Sequence, residues 1–283
     1  MNFFTPAEIV KNYGAAGRKK AEMPVLEMLI LSFLAGMFIA LGAAVTNTAG
    51  HSIGNVSAIR ILSGLLFPGG LTLVVLMGGE LFTGNCLMCI SVLEKQAKLP
   101  GVLKNWAAVY VGNLAGSLFT AFACAKFGQM NYSGGGLAVF TMTLSVSKCS
   151  LPFENAFVLG VFCNILVCFA VLAAMSAKDT AGKVIGLFFP ICFFVICGFE
   201  HSIANMYYIP AGIFASSVPE YAAQALEAGV DLSVLTWGNF FLKNLIPVTF
   251  GNIAGGVLTG GLMWLGHVWE GRNRVYRRKK DIF

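Results

Sequence analysis

At 283 residues, 57% hydrophobic and 11% charged, the chain falls far below the roughly 25% charged residues of an ordinary soluble domain, which excludes a soluble globule. A net charge of +6 does not mark a nucleic-acid partner, because the basic residues stand between apolar stretches and at the two ends rather than in one patch. Each stretch approaches the ~20 residues a helix needs to cross ~30 Å of hydrocarbon. One membrane-spanning domain, 27–269, is therefore expected between an N-terminal segment, 1–26, and a basic tail, 270–283.

From the N-terminus, Phe4 to Glu22 reads as a short amphipathic helix, with Ala7, Ile9, Val10, Tyr13, Ala15 and Ala16 followed by Arg18, Lys19 and Lys20. Such a helix either anchors at the interface or covers a pore mouth. With no apolar core region in its first 22 positions, the segment does not read as a cleavable signal. Six spans follow: Glu27 to Thr46, Ile59 to Leu93, Val102 to Phe127, Phe153 to Ala177, Val184 to Ala215 and Thr236 to Trp269. The second and fifth are too long for one crossing. They are interrupted at Pro68-Gly69-Gly70, at Gly78-Gly79-Glu80 and at Gly198-Phe199-Glu200-His201, where helix propensity falls and charge appears.

Six spans put both termini on one side of the membrane. Fifteen of the nineteen basic residues then share that face, which makes it cytoplasmic, in a plasma membrane, by the positive-inside rule. Arg60, Lys126, Lys148 and Lys243 are left on the other face. Seven of the eight cysteines fall inside apolar stretches and read as buried free thiols. Cys86-Leu87-Met88-Cys89 has the spacing of half a zinc site, but no second cluster lies near it to complete four ligands.

The sequence repeats itself. Gly78-Gly79-Glu80-Leu81-Phe82-Thr83-Gly84-Asn85 in span 2 reappears as Gly198-Phe199-Glu200-His201-Ser202-Ile203-Ala204-Asn205 in span 5. Gly112-Asn113-Leu114-Ala115-Gly116 in span 3 returns as Gly251-Asn252-Ile253-Ala254-Gly255 in span 6. Spans 1–3 and 4–6 are thus homologous halves, inverted because each holds three crossings. Corresponding broken helices in inverted halves point to a transport pathway between them, here near 71–85 and 194–205. The Gly-x-x-x-Gly spacings are expected to serve close helix packing.

His201 is the intramembrane group that titrates near neutrality, and an ionisable group there is costly to place. Glu80 and Glu200 are buried charges that need partners, so they are expected to act as structural acceptors for backbone amides freed at the breaks, with Asn85 and Asn205 completing the network. A membrane enzyme or redox protein built on His201, Glu200 and the cysteines is the rival reading. A water or neutral-solute channel is the third.

The two break motifs, the second continuing through Met206-Tyr207, together resemble the formate/nitrite transporter family, over essentially the whole chain from Thr5-Pro6 to the basic tail. The resemblance implies an all-α, aquaporin-like membrane protein of two inverted three-helix repeats, a homopentamer with one pore per protomer, no enzyme activity and no cofactor. It implies that a small monovalent weak-acid anion passes His201 between apolar constrictions at Leu71, Phe82 and Phe194. Thr83 and Asn164 match the family's polar pore positions, and Lys148 matches its vestibule lysine, a cation that would attract anions at the entrance; the alternative reading of Lys148 is a solvated loop charge. Formate, nitrite and hydrosulfide all fit such a pore. The Gly84-Asn85-Cys86-Leu87-Met88-Cys89 continuation looks more like the hydrosulfide branch.

Overall fold

Helix α1 (Pro6–Glu22) begins at a capping box. The Thr5 hydroxyl accepts from Glu8 N–H while the Glu8 carboxylate accepts from Thr5 N–H, and Pro6 supplies a preset first turn. The Thr5 backbone N–H, followed by its hydroxyl, holds the Glu8 carboxyl below its ordinary pKa. This helix start is therefore strongest above the unfolded carboxyl value and weakens as pH falls through the folded one. The computed structural model describes residues 3–269, and the basic tail 270–283 lies outside the described residues.

The helices that follow are α2 (Val25–Gly50), α3 (Val56–Leu66), α4 (Pro68–Met77), α5 (Phe82–Asn85), α6 (Cys89–Leu93), α7 (Leu99–Lys126) and α8 (Gly136–Cys149) in the first part of the chain. The second part holds α9 (Phe153–Ser176), α10 (Thr180–Cys197), α11 (Ser202–Ser216), α12 (Pro219–Glu227), α13 (Trp237–Asn239) and α14 (Ile246–Trp264), with a π-helical turn at Phe240–Leu245. No strand occurs among the described residues. Six stretches are long and apolar enough to cross a membrane, at the expected places. The third runs on as adjoining helices over Leu99–Cys149, and left-handed backbone at Gly128, Ser133, Gly134 and Gly135 divides it into α7 and α8.

Two sequence expectations need correction here. Pro68 does not interrupt span 2: Phe67 between α3 and α4 is right-handed helical, and Phe67 N–H and Gly70 N–H bond to Ser63 and Phe67 carbonyls at 2.9 and 3.0 Å. Proline at the first position of a turn needs no N–H there, so the chain passes through. Residues 136–149 lie outside the six expected spans. They form α8, which packs on α11 beside the second break.

The most extensive helix pairs are α2 with α7 and α9 with α14, and the repeated glycines make them possible. A Cβ on Gly116 would lie 2.0 Å from the Phe33 carbonyl oxygen, and one on Gly255 would lie 2.2 Å from that of Val161. Backbone cannot yield as a flexible side chain can. Gly255→Val is expected to lower the melting temperature and the yield of folded protein, with a cost at or above the ~1–3 kcal/mol of ordinary overpacking. Gly261→Val, on the same helix where a Cβ meets nothing within 4 Å, is the control that leaves both unchanged.

Helix α1 packs its apolar face on protein. Val10 and Tyr13 are buried, and the Tyr13 hydroxyl donates to the Gly84 carbonyl at 2.8 Å. Its counterpart in the second half is α8, since each helix precedes the long first crossing of its repeat.

Candidate functional site

Each half breaks its second crossing in the same way. Gly78 and Gly198 take left-handed backbone, with φ of 75° and 71°, and end α4 and α10. A residue with a Cβ is strained there. The chain then runs extended through Leu81 (φ −111°, ψ 121°) and His201 (φ −108°, ψ 115°) before turning helical again.

Broken helices strand backbone groups in a place without water, and each must find a partner. Glu80 N–H reaches Leu31 O at 3.2 Å, and Glu200 N–H reaches Leu159 O at 3.3 Å. Phe82 N–H donates to Asn113 Oδ1 and Ser202 N–H to Asn252 Oδ1, both at 2.9 Å. The amide groups of these asparagines donate to Ser32 O and Glu80 O in one half, and to Gly160 O and Glu200 O in the other. The freed amides thus go to the Leu31 and Leu159 carbonyls and to Asn113 and Asn252, not to the carboxylates of Glu80 and Glu200 as expected. The signal was present, since both asparagines sit inside the repeated Gly-Asn-x-Ala-Gly motif, but it reads equally as packing.

The carboxylates carry a second symmetric network. Lys20 Nζ donates to Glu80 Oε1 at 2.5 Å, Asn85 to Glu80 Oε2 at 2.7 Å and to Asn105 Oδ1 at 2.9 Å, and Asn105 returns to Lys20 O at 3.2 Å. In the other half Lys148 Nζ donates to Glu200 Oε1 at 2.8 Å, Asn205 to Glu200 Oε2 at 2.6 Å and to Asn244 Oδ1 at 2.8 Å, and Asn244 returns to Lys148 O at 3.0 Å. Lys148 is therefore no exposed loop charge. It closes α8, its side chain is 13% exposed, and it also lies 5.4 Å from the centre of the Tyr208 ring. Lys20, Asn105 and Asn244 are members of these networks that no motif in the sequence marks.

At the second break the two halves meet. Ala204 N–H donates to His201 Nδ1 at 3.1 Å, so the imidazole caps α11 and Nδ1 carries no proton. The proton of the neutral ring then lies on Nε2 and is donated to Thr83 Oγ1 at 2.9 Å. A second proton on the ring would have to displace the cap. The Thr83 hydroxyl keeps its own hydrogen for another acceptor. Asn164, expected to offer a donor to an anion, spends its amide on the carbonyls of Thr83 (3.1 Å) and Asn252 (2.6 Å). It ties α5 to α14 and leaves no amide hydrogen over.

Two cavities lie near this contact, one lined by His201 and the other by Leu81 and Gly84 beside Thr83. The α8-side cavity, about 380 Å³, is lined by Phe194, Glu200, His201 and Lys148 among others. The α1-side cavity, about 200 Å³, is lined by Tyr13, Lys20, Leu71, Glu80 and Leu81. Phe194 stands 5.9 Å from the His201 ring, centre to centre, and meets Phe67 edge-on at 5.6 Å. Phe67 also lines the larger cavity, and no motif in the sequence marks it. Phe82 lines neither cavity and packs edge-on against Tyr110 and Trp106. Cys86 and Cys89 also line neither, their sulfurs lying 3.4 Å from Phe82 O and 3.8 Å from Val257 O.

Residues 7–266 match the sequence model described as formate/nitrite transporter. The chain is 38% identical to a probable formate transporter of Methanothermobacter thermautotrophicus, over 95% of this chain and 99% of that protein. It is 35% identical to the formate channel FocA of Escherichia coli K12, over 98% and 95%. Among solved structures it resembles a pentameric formate channel with formate bound, with a TM-score of 0.76, 37% identity and coverage of 88% and 99%. An FNT family ion channel gives a TM-score of 0.77 at 26% identity, with coverage of 91% and 98%.

Proposed function

The chain belongs to the formate/nitrite transporter family, and from that premise we propose that it forms a homopentamer whose protomers each conduct formate or a similar small monovalent anion past His201. The observation that carries this reading is the Thr83–His201 hydrogen bond, with His201 in the lining of one cavity and Gly84, the neighbour of Thr83, in the lining of the other. An ion crossing between them loses most of its water, and an unpaired charge in such a place is expensive. Thr83 O–H and His201 Nε2–H are the donors that replace part of the lost hydration. A weak-acid anion has a further route: when solvent in the α8-side cavity protonates Nδ1 and displaces the Ala204 cap, the imidazolium passes its Nε2 proton to the anion and returns to the neutral ring, and the acid crosses the apolar step between Phe194 and Leu71 uncharged. The lysine–glutamate–asparagine networks hold the two breaks in register and keep the carboxylates neutralised, so they do not repel the ion.

Formate leads the substrate ranking on two grounds. Several relatives with 34–38% identity carry formate in their descriptions. The Cys86–Cys89 continuation that favours hydrosulfide is packed away from both cavities. The face carrying α1 is assigned to the cytoplasm by the basic residues beside α1, between α6 and α7, and between α9 and α10.

The test is reconstitution. Proteoliposomes are expected to take up formate along its gradient, saturably and faster than protein-free vesicles, with nitrite and hydrosulfide compared at equal gradients. Uptake no faster than in empty vesicles for all three anions rules the proposal out, and hydrosulfide well ahead of formate overturns the ranking.

A further inference from the structure

The two cavities differ in charge although the networks around them are symmetric. Lys20 and Glu80, the charged residues lining the α1-side cavity, form an ion pair that leaves it neutral. Lys148 and Glu200 pair in the same way in the α8-side cavity, but that cavity has one more cation, Arg60. In the register that aligns Gly78 with Gly198, Arg60 falls opposite Thr180, so the charge has no counterpart in the second half.

Arg60 lies on α3 and is exposed. Among the described residues its guanidinium has no carboxylate within ion-pair distance and no hydrogen-bond acceptor. It lies over the second break: Nη1 is 2.9 Å from where a Cβ on Gly198 would stand, and the glycine leaves that room. The carbonyl end of α10 beneath it favours a cation there but, without a bonded acceptor, leaves the donors unused. Arg60 thus places an unpaired fork of donors in the cavity that leads to His201.

We propose that Arg60 is the receiving site for substrate in the α8-side cavity, and that it selects planar anions with two oxygens, formate and nitrite, over single-centre anions such as hydrosulfide or chloride. This rests on the channel reading above and names the specificity of its entrance. A guanidinium matches a carboxylate with two parallel hydrogen bonds, whereas a spherical anion receives its charge but not its geometry. Lys148 cannot take this part, because its charge is already spent on Glu200. The captured ion lies in the same cavity as His201 and moves inward by exchanging the Arg60 donors for those of His201 and Thr83.

Two measurements test it. In the first, purified wild-type protein is labelled with phenylglyoxal and modification of Arg60 is read by peptide mass spectrometry, with formate or chloride added at equal concentration. Formate is expected to protect Arg60 and chloride to protect it little. Equal protection by the two, or none, overturns the proposal. In the second, formate and hydrosulfide flux are compared in proteoliposomes carrying wild type, Arg60→Gln or Arg60→Lys. Arg60→Gln is expected to raise the half-saturating formate concentration about fivefold, the upper end for an ion pair at a solvent-open site, with maximal flux and melting temperature retained and hydrosulfide changed less than formate. Arg60→Lys restores the charge but not the formate preference. Full restoration of that preference by lysine, or an unchanged half-saturation in Arg60→Gln, sinks the selective role. Protection by formate in a wild-type protein that moves no formate would leave the Arg60 site standing and remove the channel reading. Flux without protection would do the reverse.

Discussion

His201→Asn is expected to leave a folded protein whose formate flux is lowered about 10- to 150-fold, which corresponds to the ~1.5–3 kcal/mol of a hydrogen bond to a charged group. Asparagine is among the strongest N-cap residues, so its Oδ1 can accept from Ala204 N–H where Nδ1 now does, and α11 keeps its start. What the shorter side chain gives up is the Nε2–H that reaches Thr83 across the two halves. His201→Phe loses both the cap and the donor, and is expected to lose flux together with some thermal stability. Formate uptake between about pH 5 and 8, the range in which an unperturbed histidine changes charge, is measured beside melting temperature for each variant. Full flux and an unchanged pH profile in His201→Phe would remove His201 from the pathway. Full flux in His201→Asn alone would leave it as a cap and nothing more.

The large elements were legible in the sequence because each depends on local composition. Hydropathy marked six spans, a glycine two positions before a glutamate marked both breaks, and the duplicated motif marked the inverted halves. Helix α8 escaped because it is short, and its serines, threonines and Lys148 dilute the apolar signal. With α8 unseen, α1 had no visible counterpart, and its role as the matching element carrying Lys20 was hidden. The partners of the polar residues were hidden for another reason. Asn113 and Ser32, Asn252 and Gly160, or Thr83 and His201 are separated by 81, 92 and 118 positions. No local pattern tells a buried asparagine which backbone break it will serve, so Asn113 and Asn252 read as packing and the glutamates received their task. Asn164 erred in the same way: a polar residue in mid-span announces a hydrogen bond, but not whether the partner is a substrate or a carbonyl.

Glu200→Gln is expected to be among the most damaging single changes outside the Thr83–His201 contact, and its rescue by a second change is the sharper test. Removing one partner of a buried ion pair strands the other, at ~3–5 kcal/mol, whereas replacing both is often nearly neutral. In Glu200→Gln the Lys148 ammonium, 13% exposed at its side chain, keeps its charge without a counter-charge. In Lys148→Met/Glu200→Gln that stranded charge is gone, so melting temperature and formate flux are expected to recover most of the loss. The other half supplies the comparison. Lys20 is 23% exposed and reaches water more readily, so Glu80→Gln is expected to cost less and the double variant Lys20→Met/Glu80→Gln to recover less. A Lys148→Met/Glu200→Gln protein no more stable than the worse single variant would show that the two residues act separately. The symmetry of the networks would then describe their geometry and not their energetics.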